Sequence, residues 1–243
     1  MNGIEQIVTE NLILFAVLGG YVPTLIWLFF FLKIDKDHPE PRRVIIGSFL
    51  FGSLSALFAI PFQGFVAKLA FLTPVLLIVL MATIEETVKY FSIRCSAITD
   101  VENNEPLDPL IYVITAALGF AAMENTLYLI NFLNNFGLVT SFLEGSKRFV
   151  GATLLHVTAS AFIGLMRSFS YYRPIVKQLM SVVGLALAIV FHSIFNLMVT
   201  HNPPLIIEAF TLVWITIFVI IILAFVAKRA VKKRLKRKSI SVL

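Results

Sequence analysis

The chain is 243 residues long, 58% hydrophobic and 14% charged, with a formal net charge of +6 and a mean hydropathy of +0.90. That composition excludes a soluble domain, which needs far more polar surface; at about 20 residues per span, the length holds six to eight membrane helices and almost nothing else. The lone Cys95 excludes an internal disulfide and, beside Arg94 at a predicted helix end, reads as incidental rather than nucleophilic.

The N-terminus carries Glu5 and Glu10 in place of the basic flank of a signal peptide. The first apolar run, 12–32, is too long for a typical signal-peptide core, so it reads as a retained first span. Further runs fall at 44–62, 74–94, 108–133, 149–167, 178–199 and 205–227. They predict an all-α, polytopic bundle of about seven transmembrane helices, a single domain over 1–243 with a basic tail at 228–243. Pro74 suits the first turn of a helix, so the third span starts there and residues 62–73 form a short interfacial connection. The fourth span can break in two, since Asn131, Asn134 and Asn135 mark its exit.

Loop charge orients the bundle. Lys33, Lys36, Arg42 and Arg43 share the first loop, Arg173 and Lys177 follow the fifth span, and eight Lys/Arg lie between Lys228 and Lys238. The opposite loops hold Lys68, Lys147 and Arg148. Seven spans place the termini on opposite sides, so the positive-inside bias makes the C-terminus cytoplasmic and the N-terminus external. The tail reads as an anchor facing anionic lipid rather than as a nucleic-acid binder. Small residues recur at helical spacing (Ser48, Gly52 and Ala56; His156, Ser160 and Gly164), which allows close helix contact.

Four polar clusters lie inside apolar spans. In Glu85-Glu86-x-x-Lys89 the lysine is i,i+4 to Glu85 and i,i+3 to Glu86, so it can neutralise one carboxylate and leave the other available. Glu85 is about 16 Å into its helix from Pro74, near mid-bilayer. Glu124-Asn125 lies in the fourth span, His156 in the fifth, and His192 with Asn196 one turn apart in the sixth. Burying such groups in hydrocarbon costs several kcal/mol each unless they pair or line a wet cavity. They define a structural network, a proton or ion pathway, or a catalytic centre. A carboxylate can act as general base on water, a histidine can protonate a leaving amine, and a His–Asn pair can serve an oxyanion. Equally, two histidines and a glutamate could hold Zn²⁺ with an open water position, although H-E-x-x-H is absent. No G-x-S-x-G marks a serine nucleophile.

At these clusters the chain resembles the PrsW family of intramembrane proteases, which is related to the CAAX prenyl endopeptidase and Abi membrane proteins. The resemblance rests on Glu85-Glu86-x-x-Lys89, Gly119-Phe120-x-x-x-Glu124-Asn125, His156, His192-x-x-x-Asn196, and Asp35 ahead of Pro39-Glu40-Pro41, and covers about residues 20–200. Lys89 in place of an arginine one position later favours the PrsW branch. The resemblance implies an endopeptidase of a bacterial cell membrane acting on membrane-anchored proteins such as anti-sigma factors. Glu85 and Glu86 would be its catalytic carboxylates, with Glu124, His156 and His192 completing the site. Asn196 would be the oxyanion partner, and Lys89 and Asn125 supporting residues. A metal, if held, would draw on His156, His192 and Glu124 or Glu86. The competing class is a transporter, channel or immunity-type scaffold. Convergence of Glu85 or Glu86, Glu124, His156 and His192 on one cavity separates the two. His38, His201, Trp27 and Trp214 read as solvated, turn or packing residues.

Overall fold

The structure, a computed structural model, describes residues 10–33, 39–69, 71–98, 103–201 and 203–240. Asp35, Lys36 and His38 of the first loop lie outside them, as do most side chains of the basic tail and that of His201. The described residues form seven long helices and no strand. They are α1 (Leu12–Leu32), α2 (Arg42–Val66), α3 (Pro74–Ile93), α4 (Asp108–Val150), α5 (Ala152–Phe169), α6 (Pro174–His201) and α7 (Ile206–Ile240). A π-helical turn, Arg94–Ile98, extends α3, and a short 3₁₀ turn, Pro203–Leu205, precedes α7.

The helix starts follow local chemistry. Thr73 caps α3, its Oγ1 accepting the Leu76 N–H at 3.3 Å, and Pro74 takes the first turn, where its missing N–H has no partner to lose. Pro109 and Pro174 stand at the starts of α4 and α6 in the same way. α4 differs from the predicted fourth span. It does not stop at Asn131–Asn135 but reverses at Gly137, whose φ of 75° lies in the left-handed region that glycine adopts freely. The side chains of Arg148 and Glu124, 24 residues apart, are in contact; on a straight helix they would be about 36 Å apart. The second limb therefore runs back along the first and leads into α5.

The first limb of α4 is the centre of the bundle, buried without interruption from Asp108 to Ala122. Its neighbours approach through glycine. A Cβ on Gly52 would meet the Ala116 carbonyl oxygen at 2.0 Å, and one on Gly119 would meet that of Phe49 at 2.0 Å, so α2 and α4 touch backbone to backbone. Gly52→Ala is expected to destabilise by about 1–3 kcal/mol. Gly47→Ala, inside the same helix and with nothing within 4 Å of an added Cβ, should stabilise by up to about 1 kcal/mol; thermal melts in detergent compare the two.

The outer faces are apolar: Phe58 (65%), Phe218 (65%) and Ile175 (92%) stand exposed, as suits lipid and not water. Among the described residues, five helical stretches are long and apolar enough to cross a membrane: Leu12–Leu32, Arg42–Val66, Asp108–Phe169, Pro174–Thr200 and Ile206–Val226. The chain is a multi-pass membrane protein. The expected count of seven differs from five for two reasons. α3 carries Glu85, Glu86 and Lys89, and α4 with α5 forms one continuous apolar stretch. α7 is 35 residues long, about 52 Å, and exceeds a hydrocarbon core of roughly 30 Å, so its basic end projects beyond.

Candidate active site

Four helices bring the ionisable residues together. α3 supplies Glu85, Glu86 and Lys89; α4 supplies Glu124 and Asn125; α5 supplies His156 and Ser160; α6 supplies His192. Glu86 and Lys89 are wholly buried, and His156 and His192 are each 2% exposed.

Glu86 is the most fully engaged. Lys89 Nζ donates to its Oε1 at 2.5 Å, His192 Nδ1 lies 2.7 Å from the same oxygen, and Ser160 Oγ donates to Oε2 at 3.0 Å. Lys89, which helical spacing allows to serve either carboxylate, thus serves Glu86. Its ammonium also lies 3.1 Å from His156 Nδ1 and 4.8 Å from the Phe120 ring centroid.

Glu124 holds the second imidazole. Its Oε2 lies 3.0 Å from His156 Nε2 and accepts from Arg148 Nη2. Arg148 Nε donates to Asn125 Oδ1 at 2.8 Å, and Asn125 Nδ2 donates to Thr153 Oγ1 at 3.0 Å. The guanidinium covers the Tyr128 ring at 4.3 Å.

Glu85 is different. Gln63 Nε2 donates to its Oε1 at 2.8 Å, but Oε2 is buried with no hydrogen-bond partner. That oxygen faces His192 Nε2 at 3.6 Å and His156 Nδ1 at 4.0 Å. Each imidazole is therefore fixed at one nitrogen by a carboxylate and turns the other toward Glu85. A carboxylate behind a histidine sets its tautomer and orientation in this way. Three carboxylates share two fixed cations, Lys89 and Arg148, and both cations are committed elsewhere, so Glu85 has none of its own.

Ligand atoms of Glu85, His156 and His192 lie within 4.8 Å of one another, a set that could hold a metal ion. The residues fit one: the donors are two imidazoles and a carboxylate, as at zinc sites, and the unpartnered Glu85 oxygen points among them. The carboxylate in this triangle is Glu85, not the Glu124 or Glu86 expected from the sequence, because those two are already engaged. Binding there requires Lys89 to leave His156 Nδ1 and keep its contact with Glu86.

Asn196, the expected oxyanion partner, is half-buried one turn beyond His192. Among the described residues, it hydrogen-bonds to none of this cluster. Gln63, Ser160 and Arg148 join the site without having been singled out by sequence, and Thr153, which flanks His156, joins through Asn125. Ser160 was visible only as part of a small-residue face. Arg148 counted as a loop charge, since the reversal at Gly137 that returns it to Glu124 leaves little mark in the sequence. Arg148→Gln is expected to lower activity by about 10–100-fold by loosening Glu124 and through it His156. A reporter-cleavage assay checks this.

The acids and imidazoles converge on one buried site in a multi-pass helix bundle, the arrangement that a membrane-embedded hydrolase requires. The family model described as PrsW family intramembrane metalloprotease matches residues 40–226. This chain belongs to the PrsW family of intramembrane metalloproteases. It is 27% identical over 190 residues to Protease PrsW of Halalkalibacterium halodurans, covering 75% of this chain and 83% of that one. It is 29% identical over 163 residues to Protease PrsW of Geobacillus kaustophilus (63% and 64%), and 26% identical over 167 residues to that of Bacillus subtilis (64% and 67%). No solved structure matches.

Proposed function

We propose that Glu85, His156 and His192 activate the water that hydrolyses a peptide bond in a membrane-anchored protein. The observation that carries this reading is the unpartnered Glu85 Oε2, faced by one nitrogen of each imidazole. Glu85 is the proton acceptor for a water placed between these atoms, at hydrogen-bonding reach of its free oxygen. Glu86 and Glu124 do not contact that water. Glu86 fixes His192, whose Nε2 faces the reacting centre, and Glu124 fixes His156, whose Nδ1 serves it once Lys89 withdraws to Glu86 alone. An imidazole on that side passes the proton to the leaving amine. The apolar helices around the cluster keep bulk water out and strengthen each of these interactions. When bound by Glu85, His156 and His192, Zn²⁺ would supply Lewis acidity that lowers the pKa of a bound water and polarises the scissile carbonyl.

The proposed substrate is a protein whose cleaved segment lies within the bilayer, a reading supported by the apolar helices that carry the site. The resemblance names anti-sigma factors as such substrates. Asn196, one turn from His192, completes the proposed set as an oxyanion donor that engages once substrate is in place. The single domain lies in the cell membrane with its N-terminus external and its basic C-terminal segment cytoplasmic, the side that loop charge favours.

Metal analysis of the purified protein, together with peptidase assays with and without chelator, tests the proposal. Bound zinc and chelator-sensitive cleavage assign the metal-assisted form. Chelator-resistant cleavage assigns the carboxylate form. Absence of cleavage under both conditions contradicts the reading.

A further inference from the structure

A second cationic cluster lies away from the active site, where the ends of α3 and α5 meet the start of α6. Arg167, in the last turn of α5, is 5% exposed. Its Nη1 donates to Ser181 Oγ at 2.7 Å, while its Nε is buried with no hydrogen-bond partner. Among the described residues no carboxylate pairs with it. A guanidinium stays charged at any physiological pH, and burying one without an anion is strongly unfavourable.

Its neighbours deepen the imbalance. Arg94 and Lys177 both act on Arg167 as like charges. Arg94, on the π-helical turn, reaches Gln178 Oε1 at 3.5 Å. Gln178 lies one turn of α6 before Ser181, so the two guanidiniums flank one face of its opening turns. Lys177 lies over the Tyr171 ring at 4.4 Å. The acid acting on Lys177 is Asp108, whose Oδ2 accepts the backbone N–H groups of Asn104 at 2.8 Å and Glu105 at 2.5 Å while its Oδ1 is buried with no hydrogen-bond partner. The N-terminus of the 28-residue α6 adds partial positive charge at the same place.

We propose that Arg167, Arg94 and Lys177 bind the phosphate group of an anionic phospholipid. The chemistry is that of a phosphate site: a buried guanidinium with an unpartnered N–H, a serine hydroxyl beside it and two cations at the rim. The surroundings choose the carrier. Phe169 (52%), Ile175 (92%) and Leu179 (60%) stand exposed next to the cluster, as acyl chains require and a free ion does not. The loop-charge bias also assigns this end to the cytoplasmic leaflet, where anionic lipids concentrate.

The test is a thermal melt of the full chain in neutral detergent, with phosphatidylglycerol, phosphatidylcholine or inorganic phosphate added. Phosphatidylglycerol should raise Tm by about 5–10 °C at a hundredfold excess over Kd, and phosphatidylcholine should not. Arg94→Gln with Lys177→Gln, both at the rim, should lose most of that shift, each shift being measured from the variant's own lipid-free Tm. Arg167→Met should show no shift and a lipid-free Tm at or above that of the parent, because an uncompensated charge is gone. If Arg167→Met fails to fold, the rim variant decides. Equal shifts with both lipids, or an unchanged shift in the rim variant, overturn the proposal. A shift with inorganic phosphate but not phosphatidylglycerol replaces the lipid with a free ion.

Discussion

Glu85→Gln is expected to lower peptide-bond cleavage by about 10²–10⁴-fold, the contribution of a positioned general base. The amide is isosteric, so the contact with Gln63, 2.8 Å from Oε1 in the parent, can persist. What is lost is the acceptor at Oε2, the one carboxylate oxygen in the cluster that is buried with no hydrogen-bond partner. Stability should change little, because no cation depends on Glu85. A reporter-cleavage assay beside a thermal melt separates the two quantities. Near-parent cleavage by Glu85→Gln would remove Glu85 from the reaction.

Lys89→Met is expected to act in the opposite way, through the fold. Lys89 and Glu86 are both fully buried and 2.5 Å apart. Removing the lysine leaves a carboxylate in the bundle interior with no fixed cation, at a cost of about 3–5 kcal/mol. His192 Nδ1, which shares Glu86 Oε1, would be drawn into the imbalance and activity would fall as well. Adding Glu86→Gln to Lys89→Met should recover a large part of the lost stability, because the stranded charge is then removed. It should not restore cleavage, since His192 loses the carboxylate that orients it. Melts of the single and double variants read the first effect, and reporter cleavage reads the second. Equal Tm for Lys89→Met and the parent would mean that the pair carries no net stabilisation.

Much of this was legible because membrane chemistry is strict. An apolar run of about 20 residues announces a helix, and an ionisable residue inside one announces a reason to be there. Pro74 after Thr73 set the start of α3 and with it the depth of Glu85. Four of the five motifs that carried the resemblance lie on α3 to α6, and the ionisable residues they singled out converge; the fifth, Asp35 ahead of Pro39-Glu40-Pro41, precedes α2, and its Asp35 lies outside the described residues. What the sequence left open was pairing across helices. Helical spacing offered Lys89 both Glu85 and Glu86, and only the packing of α3 against α5 and α6 shows that Glu86, with His192 and Ser160, takes it. The partners of the two histidines depend on the same interhelical register, which no local pattern encodes.

Two residues were misplaced for identifiable reasons. Arg148 read as a loop charge because a hydrophobic run with asparagines near its end looks like a span leaving the membrane. The left-handed Gly137 instead folds the helix back and delivers Arg148 to Glu124. Gln63 read as part of an interfacial connection, whereas α2 continues to Val66 and carries it to Glu85. Both lie beyond the apolar runs that organise a hydropathy reading, and both are polar residues that matter because of where a helix goes next.

Cleavage of a membrane-anchored reporter in H₂¹⁸O, read by mass spectrometry, tests the central claim most directly. The reconstituted parent protein should cut one peptide bond within or beside the reporter's membrane segment and place ¹⁸O in the new carboxyl group. The Glu85→Gln, His156→Ala and His192→Ala variants should leave the reporter intact. An uncut reporter with the parent protein, or the same labelled product from all three variants, would contradict the account.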